Sequence, residues 1–159
     1  MSRIAVFAGS FDPFTLGHQD IARRGLELFD HLVIAIGLNA QKRPFFSTES
    51  RLAMIRASFP DECRITVTSF DGLTIDLCRQ HGAHFLLRGL RSATDFDYER
   101  TIAQANQMIA HDIETLFLLS RPEHAAITST VVRDLLAHSH DVRGFLPAEV
   151  DITRYLSAQ

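Results

Sequence analysis

Gly9-Ser10-Phe11-Asp12-Pro13-Phe14-Thr15-Leu16-Gly17-His18 lies between two runs of different periodicity. Ahead of it, Arg3-Ile-Ala-Val-Phe-Ala8 is almost wholly apolar, the pattern of a strand buried on both faces. Behind it, Ile21, Ala22, Gly25, Leu26, Leu28 and Phe29 recur at helical spacing. The decapeptide is therefore the turn between a first strand and a first helix, at the carboxyl edge of a parallel sheet. Thr15 is the expected N-cap, with Gly17 and His18 at the second and third helical positions. The free amides of that first turn and the positive end of the helix dipole suit a phosphate. Gly9 and Gly17 are expected to clear space for a ligand near the backbone, Pro13 stiffens the loop, and His18 adds a ring nitrogen.

The pattern repeats outward. His31–Gly37 reads as a second buried strand, and a loop carrying Gln41-Lys42-Arg43-Pro44 leads to a helix over Ser47–Phe59 with Leu52, Ile55 and Phe59 inward. Arg64–Ser69 alternates as a third strand, and Leu73–His81 follows as a short helix closed by Gly82. His84–Arg88 is a fourth strand ending at Gly89-Leu90-Arg91. A longer helix then runs from about Thr94 to Ala110, capped by Thr94 or Asp95. Thr115–Ser120 is a fifth strand, Arg121–Thr128 a loop and Ser129–His138 a helix, and Leu146-Pro147 opens a last helix to Leu156. Strands alternating with helices predict an α/β fold: one doubly wound domain over residues 1–159, with a five-stranded parallel sheet covered on both faces. Ligands bind such sheets beyond the carboxyl ends of the strands, which brings Ser10–His18, Lys42, Leu73-Thr74, Arg88–Arg91 and residues 121–130 to one edge.

Composition narrows the class. The chain has 159 residues, is 46% hydrophobic and 22% charged, and carries a formal net charge of −3, which argues against nonspecific nucleic-acid or membrane binding. No run approaches the ~18 apolar residues of a membrane span. Cys63 and Cys78 lack C-x-x-C spacing and read as reduced thiols of a cytoplasmic protein. The eight histidines show no H-E-x-x-H or related spacing, so no protein-held metal is expected.

At the ligand edge, Lys42 is either a solvated loop cation or a mobile charge for a phosphate. Arg88, ending a buried strand, must pair with a carboxylate or meet an anion, and Arg91 adds a second guanidinium fork. Asp95, Asp97 and Glu99 are near enough in sequence to pair with either, and a carboxylate that orients an arginine is compatible with an anion beyond it. Ile127-Thr128-Ser129-Thr130 sets three hydroxyls before a helix, which by itself reads as an N-cap.

Together these segments resemble a known family. Ser10-Phe-Asp-Pro with Thr15-x-Gly-His18 resembles the T/H-x-G-H signature of the nucleotidyltransferase superfamily. Arg88-Gly-Leu-Arg-Ser-Ala-Thr-Asp-Phe-Asp-Tyr-Glu99 resembles the R-G-L-R-x-x-x-D-F-x-Y-E signature of phosphopantetheine adenylyltransferases, and Ile127–Thr130 resembles that family's I-S-S-[ST] element. Phe29-Asp30-His31 and Phe145-Leu-Pro147 extend the likeness over essentially the whole chain.

The resemblance implies a Rossmann-like fold and adenylyl transfer from ATP to 4′-phosphopantetheine, with Mg²⁺ arriving on ATP and a homohexameric assembly. It implies catalytic roles for Ser10, His18, Lys42 and Arg91. ATP would meet Ser10, Phe11, His18, Gly89, Leu90, Arg91, Glu99 and residues His124, Ala125, Ala126, Ile127, Thr128, Ser129 and Thr130. Phosphopantetheine would meet Ser10, Lys42, Leu73, Thr74 and Arg88. The chain departs from the pattern at Thr74, at Gln107, and at His124 and Ala126, where many relatives carry aromatic residues. An NAD-type dehydrogenase is disfavoured, because G-S-F-D-P stands in place of G-x-G-x-x-G.

Overall fold

The structure is a computed structural model that describes residues 2–39, 41 and 43–156. Its strands are β1 (Ile4–Gly9), β2 (His31–Gly37), β3 (Ile65–Phe70), β4 (Phe85–Leu90) and β5 (Glu114–Leu119). The helices are α1 (Leu16–Leu28), α2 (Thr48–Ala57), α3 (Thr74–Gln80), α4 (Ala93–Ile109), α5 (Ser129–Ala137) and a single turn, α6 (Thr153–Leu156). The strands form one parallel sheet in the order β3-β2-β1-β4-β5. The chain steps outward from β1 to β3 and then returns to the far side of β1. The switch in strand order therefore falls between β1 and β4, where a parallel sheet opens a crevice at its carboxyl edge.

Both faces of the sheet are covered, as near-continuous apolar strands require. On one face Phe7, Leu32, Ile34 and Leu87 pack against Ile21, Ala22 and Leu26 of α1 and Ile55 of α2. On the other, Val6, Ala8, Val33 and Leu86 pack against Ile75, Leu77 and Cys78 of α3. Gly25 lets α1 lie close to the sheet, since a Cβ there would stand 2.6 Å from Cδ2 of Leu87. A third cluster joins Phe46, Met54, Val132, Val142, Leu146, Val150 and Ile152 beneath the C-terminal segment.

Four expectations need correction. First, β4 runs through Leu90, so Arg88, Gly89 and Leu90 belong to the strand itself. Second, α4 is capped by Ser92, whose hydroxyl accepts the amide of Asp95 at 3.1 Å, and not by Thr94 or Asp95. Asp95 is then the third helical residue, and its carboxylate accepts from the backbone N–H of Arg91. Third, no continuous helix spans 146–156: a 3₁₀ turn at Arg143–Phe145 precedes an extended Leu146, and only Thr153–Leu156 is helical. Pro147 disfavours helical backbone at Leu146. Val150 and Ile152 are both buried, and two positions apart on a helix they would face away from each other. Fourth, α2 ends at Ala57, so that of Leu52, Ile55 and Phe59, which all pack on the core as expected, Phe59 does so from beyond the helix, and a buried arginine, Arg51, joins the inner face.

Candidate active site

The loop after β1 is held from several sides. Asp12 is buried, and its carboxylate accepts the backbone N–H groups of Phe45 at 2.7 Å and Phe46 at 2.9 Å. Arg51, 5% exposed, donates to the carbonyls of Ser10 at 2.7 Å and Phe46 at 3.1 Å. Arg133 of α5 donates to the Asp12 carbonyl at 2.7 Å. Desolvation is the main influence on Arg51 and pulls its pKa down, opposed by the charges of Asp12 and Glu49. Phe11 adopts a left-handed backbone, φ 45°, and its ring meets Phe7, Phe14 and His18 edge-on with centroids 5.0–5.3 Å away. A Cβ at Gly9 would approach that ring to 3.0 Å, so Gly9 makes room for Phe11, and it also lines the cavity these residues surround. Asp12, Arg51 and Arg133 were not among the sequence candidates; apart from the Arg51–Phe46 bond, these contacts join residues 33 to 121 positions apart along the chain.

Thr15 caps α1 as expected, with a reciprocal box in which His18 takes the part usually played by a glutamate. The Thr15 backbone N–H donates to His18 Nδ1 at 3.0 Å. Nδ1 is thus an acceptor, and the neutral ring carries its proton on Nε2. Burial, then the charges of Arg91 and Arg88, lower the His18 pKa to about 3. At neutral pH this residue is an uncharged hydrogen-bond donor through Nε2, locked in tautomer by its own helix cap.

Arg88 reaches across from β4. Its Nε donates to Glu99 Oε2 at 2.8 Å, its Nη2 meets Oε1, and its Nη1 donates to the Ala8 carbonyl. Arg91 Nε donates to Asp95 Oδ2 at 3.1 Å. Both arginines pair with the carboxylates of α4, which orients them beside His18 without removing every donor. The Ser129 hydroxyl donates to the Pro13 carbonyl at 2.8 Å, tying the start of α5 to the first loop. Thr128 caps α5, and the Thr130 hydroxyl accepts from Arg133 at 3.3 Å.

These contacts enclose a cavity of about 260 Å³. Of the expected nucleotide residues, Ser10, Phe11, His18, Gly89, Arg91, Glu99, His124, Ile127, Thr128, Ser129 and Thr130 line it, and Arg88 joins them. Leu90, Ala125 and Ala126 do not. A larger cleft of about 1220 Å³ adjoins it, sharing Ser10 and Thr130 and bordered by Asn39, Arg43, Phe45, Arg51 and Arg133. Leu73 and Thr74, at the start of α3, line neither space. Lys42 lies outside the described residues. Among the described residues no three His, Cys, Asp or Glu side chains gather as a metal site.

A five-stranded parallel sheet whose switch point holds a neutral histidine, two arginines and two helix N-termini is the framework of a nucleotidyl transferase. In agreement, a family model described as cytidylyltransferase-like matches residues 6–135. The bifunctional NMN adenylyltransferase/ADP ribose pyrophosphatase of Francisella tularensis superposes with a TM-score of 0.71 at 16% identity over 96% of this chain. That likeness concerns the fold, and the chain spans 47% of the solved one. Relatives named phosphopantetheine adenylyltransferase are far more similar. The one from Cytophaga hutchinsonii is 47% identical over 150 residues, covering 94% of this chain and 100% of the relative. Those from Flavobacterium johnsoniae (47% over 152 residues, 96% and 99% covered) and Bacteroides fragilis (45% over 150 residues, 94% and 99%) match as fully. The chain belongs to the phosphopantetheine adenylyltransferase family.

Proposed function

We propose that this chain transfers the adenylyl group of ATP to 4′-phosphopantetheine, giving dephospho-coenzyme A and pyrophosphate, the penultimate step of coenzyme A synthesis. The observation that carries the reading is His18, a neutral Nε2–H donor held by Thr15 at the N-terminus of α1, lining one cavity with Arg88 and Arg91. An oxygen of the phosphopantetheine phosphate attacks the α-phosphorus of ATP in line. The bond from that phosphorus to the bridging oxygen breaks, and pyrophosphate leaves with the electron pair. A phosphate monoester is already anionic near neutral pH, its second pKa being about 6, so no protein base has to remove a proton. The chain contributes position and charge stabilisation.

His18 donates to the α-phosphoryl oxygens as charge builds on them, and its neutrality at working pH keeps this donor constant. Arg91, Ser129, Thr130 and the first amides of α5 hold the β- and γ-phosphates. Ser10 lies where the two cavities meet and orients the attacking phosphate together with Lys42. Arg88, held by Glu99, faces the acceptor, and the Leu73-Thr74 backbone receives the pantetheine arm. Residues 124–127 border the nucleoside.

Mg²⁺ enters on ATP in this reading. Glu99 is the one carboxylate among the described residues lining the smaller cavity, and Arg88 engages both its oxygens. The donor set suits an ion carried by phosphates and water, where Mg²⁺ neutralises phosphate charge, better than one caged by protein.

Assembly as a homohexamer is part of the proposal. It is supported by α4, which buries none of its residues and exposes Phe96, Tyr98, Ile102, Met108 and Ile109, with Leu119 exposed at the end of the edge strand β5. Cytoplasmic residence, where ATP is made and used, completes the reading; Cys63 and Cys78 are both free thiols, as a reducing compartment keeps them.

The test is pyrophosphate release from purified protein with Mg-ATP and 4′-phosphopantetheine, beside CTP with glycerol phosphate and ATP with nicotinamide mononucleotide. Turnover with phosphopantetheine alone is expected. Turnover with another pair moves the acceptor assignment, and ATP binding without turnover on any pair replaces the enzyme by a nucleotide-binding module.

A further inference from the structure

The segment between β5 and α5 borders the nucleotide cavity through Ser120, His124 and Ile127, yet Glu123, Ala125 and Ala126 within it are exposed. Its internal bonds are short-range: His124 N–H donates to the Arg121 carbonyl at 2.9 Å, and Ile127 N–H to the His124 carbonyl at 3.0 Å. Such bonds fix its shape but not its place over the cavity. Placement falls to its two ends and to Gly17 of α1, where a Cβ would stand 3.8 Å from the Ile127 carbonyl oxygen and 3.9 Å from His124 Cβ. Ser129 anchors the far end through the Pro13 carbonyl.

At the near end the Ser120 N–H donates to the Leu90 carbonyl at 2.7 Å, and beyond that bond one carboxylate holds the side chains. Asp20 lies on α1, two residues beyond His18, and its side chain is 13% exposed. Its Oδ1 is 3.3 Å from Nε of Arg121, the first residue after Ser120, and its Oδ2 is 3.1 Å from Nη1 of Arg24. The same Arg24 nitrogen donates to the carbonyl of Leu119, the last residue of β5, at 2.9 Å. An ion pair free in water contributes little. Here a largely shielded carboxylate serves two guanidiniums, and neutralising it removes the one counter-charge that both share.

We propose that Asp20 is a positioning residue for the nucleotide, holding the start of the 120–128 segment through Arg121, and the end of β5 through Arg24, against the helix that carries His18. The inference rests on the adenylyl-transfer reading for the identity of the nucleotide. One helix thereby sets both the donor for the reacting phosphate and the wall beside the nucleoside. The clasp acts on ATP and leaves the acceptor side, bordered by Arg88 and the larger cleft, as it was.

Calorimetric ATP binding, with no acceptor present, is measured for wild type, Asp20→Asn, Arg121→Gln and the double variant, together with KM for each substrate and thermal midpoints. Each single change is expected to weaken ATP binding about fivefold to tenfold, in the range of a typical net hydrogen bond. The double variant should be no weaker than the worse single one, since Asp20→Asn already breaks the contact that Arg121→Gln breaks. KM for phosphopantetheine should stay within about twofold, and Arg121→Lys should recover part of the lost ATP affinity. Additive losses, equal loss for both substrates, or ATP binding within twofold of wild type in both single variants would overturn the clasp. A wild type that binds ATP but does not adenylylate phosphopantetheine removes the function proposed above while the calorimetry still decides the role of Asp20. A wild type that does not bind ATP removes both.

Discussion

The two helices that frame the cavity, α1 and α4, are built on opposite terms. Helix α1 buries Gln19, Ile21, Ala22, Gly25 and Leu26, and Gln19 Nε2 donates to the Ser58 carbonyl at 2.8 Å. Its first turn presents His18 from a helix whose inner face is packed into the core. Helix α4 is longer, 17 residues, and buries none of them; Tyr98 and Met108 are 68% and 78% exposed. Yet the carboxylates of its first two turns, Asp95 and Glu99, orient Arg91 and Arg88. The histidine is thus fixed by the core of one chain. The arginines are set by a helix that packs on one side only, and its outer face is exposed.

The contrast can be broken or sharpened by mutation. His18→Ala removes the donor fixed by α1 and is expected to lower kcat about 10²–10³-fold, with ATP binding little changed; lost ATP affinity with normal turnover would contradict that role. Gly25→Leu forces a side chain into the space of Leu87 and should destabilise the chain by about 2–3 kcal/mol in urea unfolding. At the outer face of α4, Met108→Glu should leave circular dichroism native and lower the sedimentation coefficient, and an unchanged assembly would show that this face is not the interface. Glu99→Gln frees Arg88 from its carboxylate and should raise KM for phosphopantetheine about tenfold, more than it raises KM for ATP. The smallest effect belongs to Ser92→Ala, which removes the α4 cap and should cost about 1 kcal/mol.

The same division explains what the sequence disclosed. Helix α1 was readable because its signals are local: an apolar strand, a threonine cap and a three-residue spacing place His18 at the third helical position. Strand β2 has the bounds its apolar run predicts. The pairing of Arg88 and Arg91 with α4 was one of two open readings, since their partners are eleven and four residues away. The Asp12–Arg51–Arg133 clamp was not readable, because a buried charge on an amphipathic helix declares itself only when its distant carbonyl partners are in place. The end of the chain misled for a related reason. Leu146 and Val150 keep helical spacing, but the cluster that also buries Ile152 overrides it.

The fold holds His18 neutral, with its proton on Nε2. A histidine whose folded pKa is about 3, against about 6.5 unfolded, contributes stability above pH 6.5 that declines as the pH falls from there toward 3. Nitrogen-15 NMR of the imidazole rings, assigned with the His18→Gln variant and followed from pH 8 to pH 5, tests this directly. A His18 ring that stays neutral, with Nδ1 unprotonated and Nε2 protonated throughout, is the predicted result. A ring that titrates near pH 6.5, or carries its proton on Nδ1, would contradict the account of His18 as a fixed neutral donor to the transferring phosphoryl group.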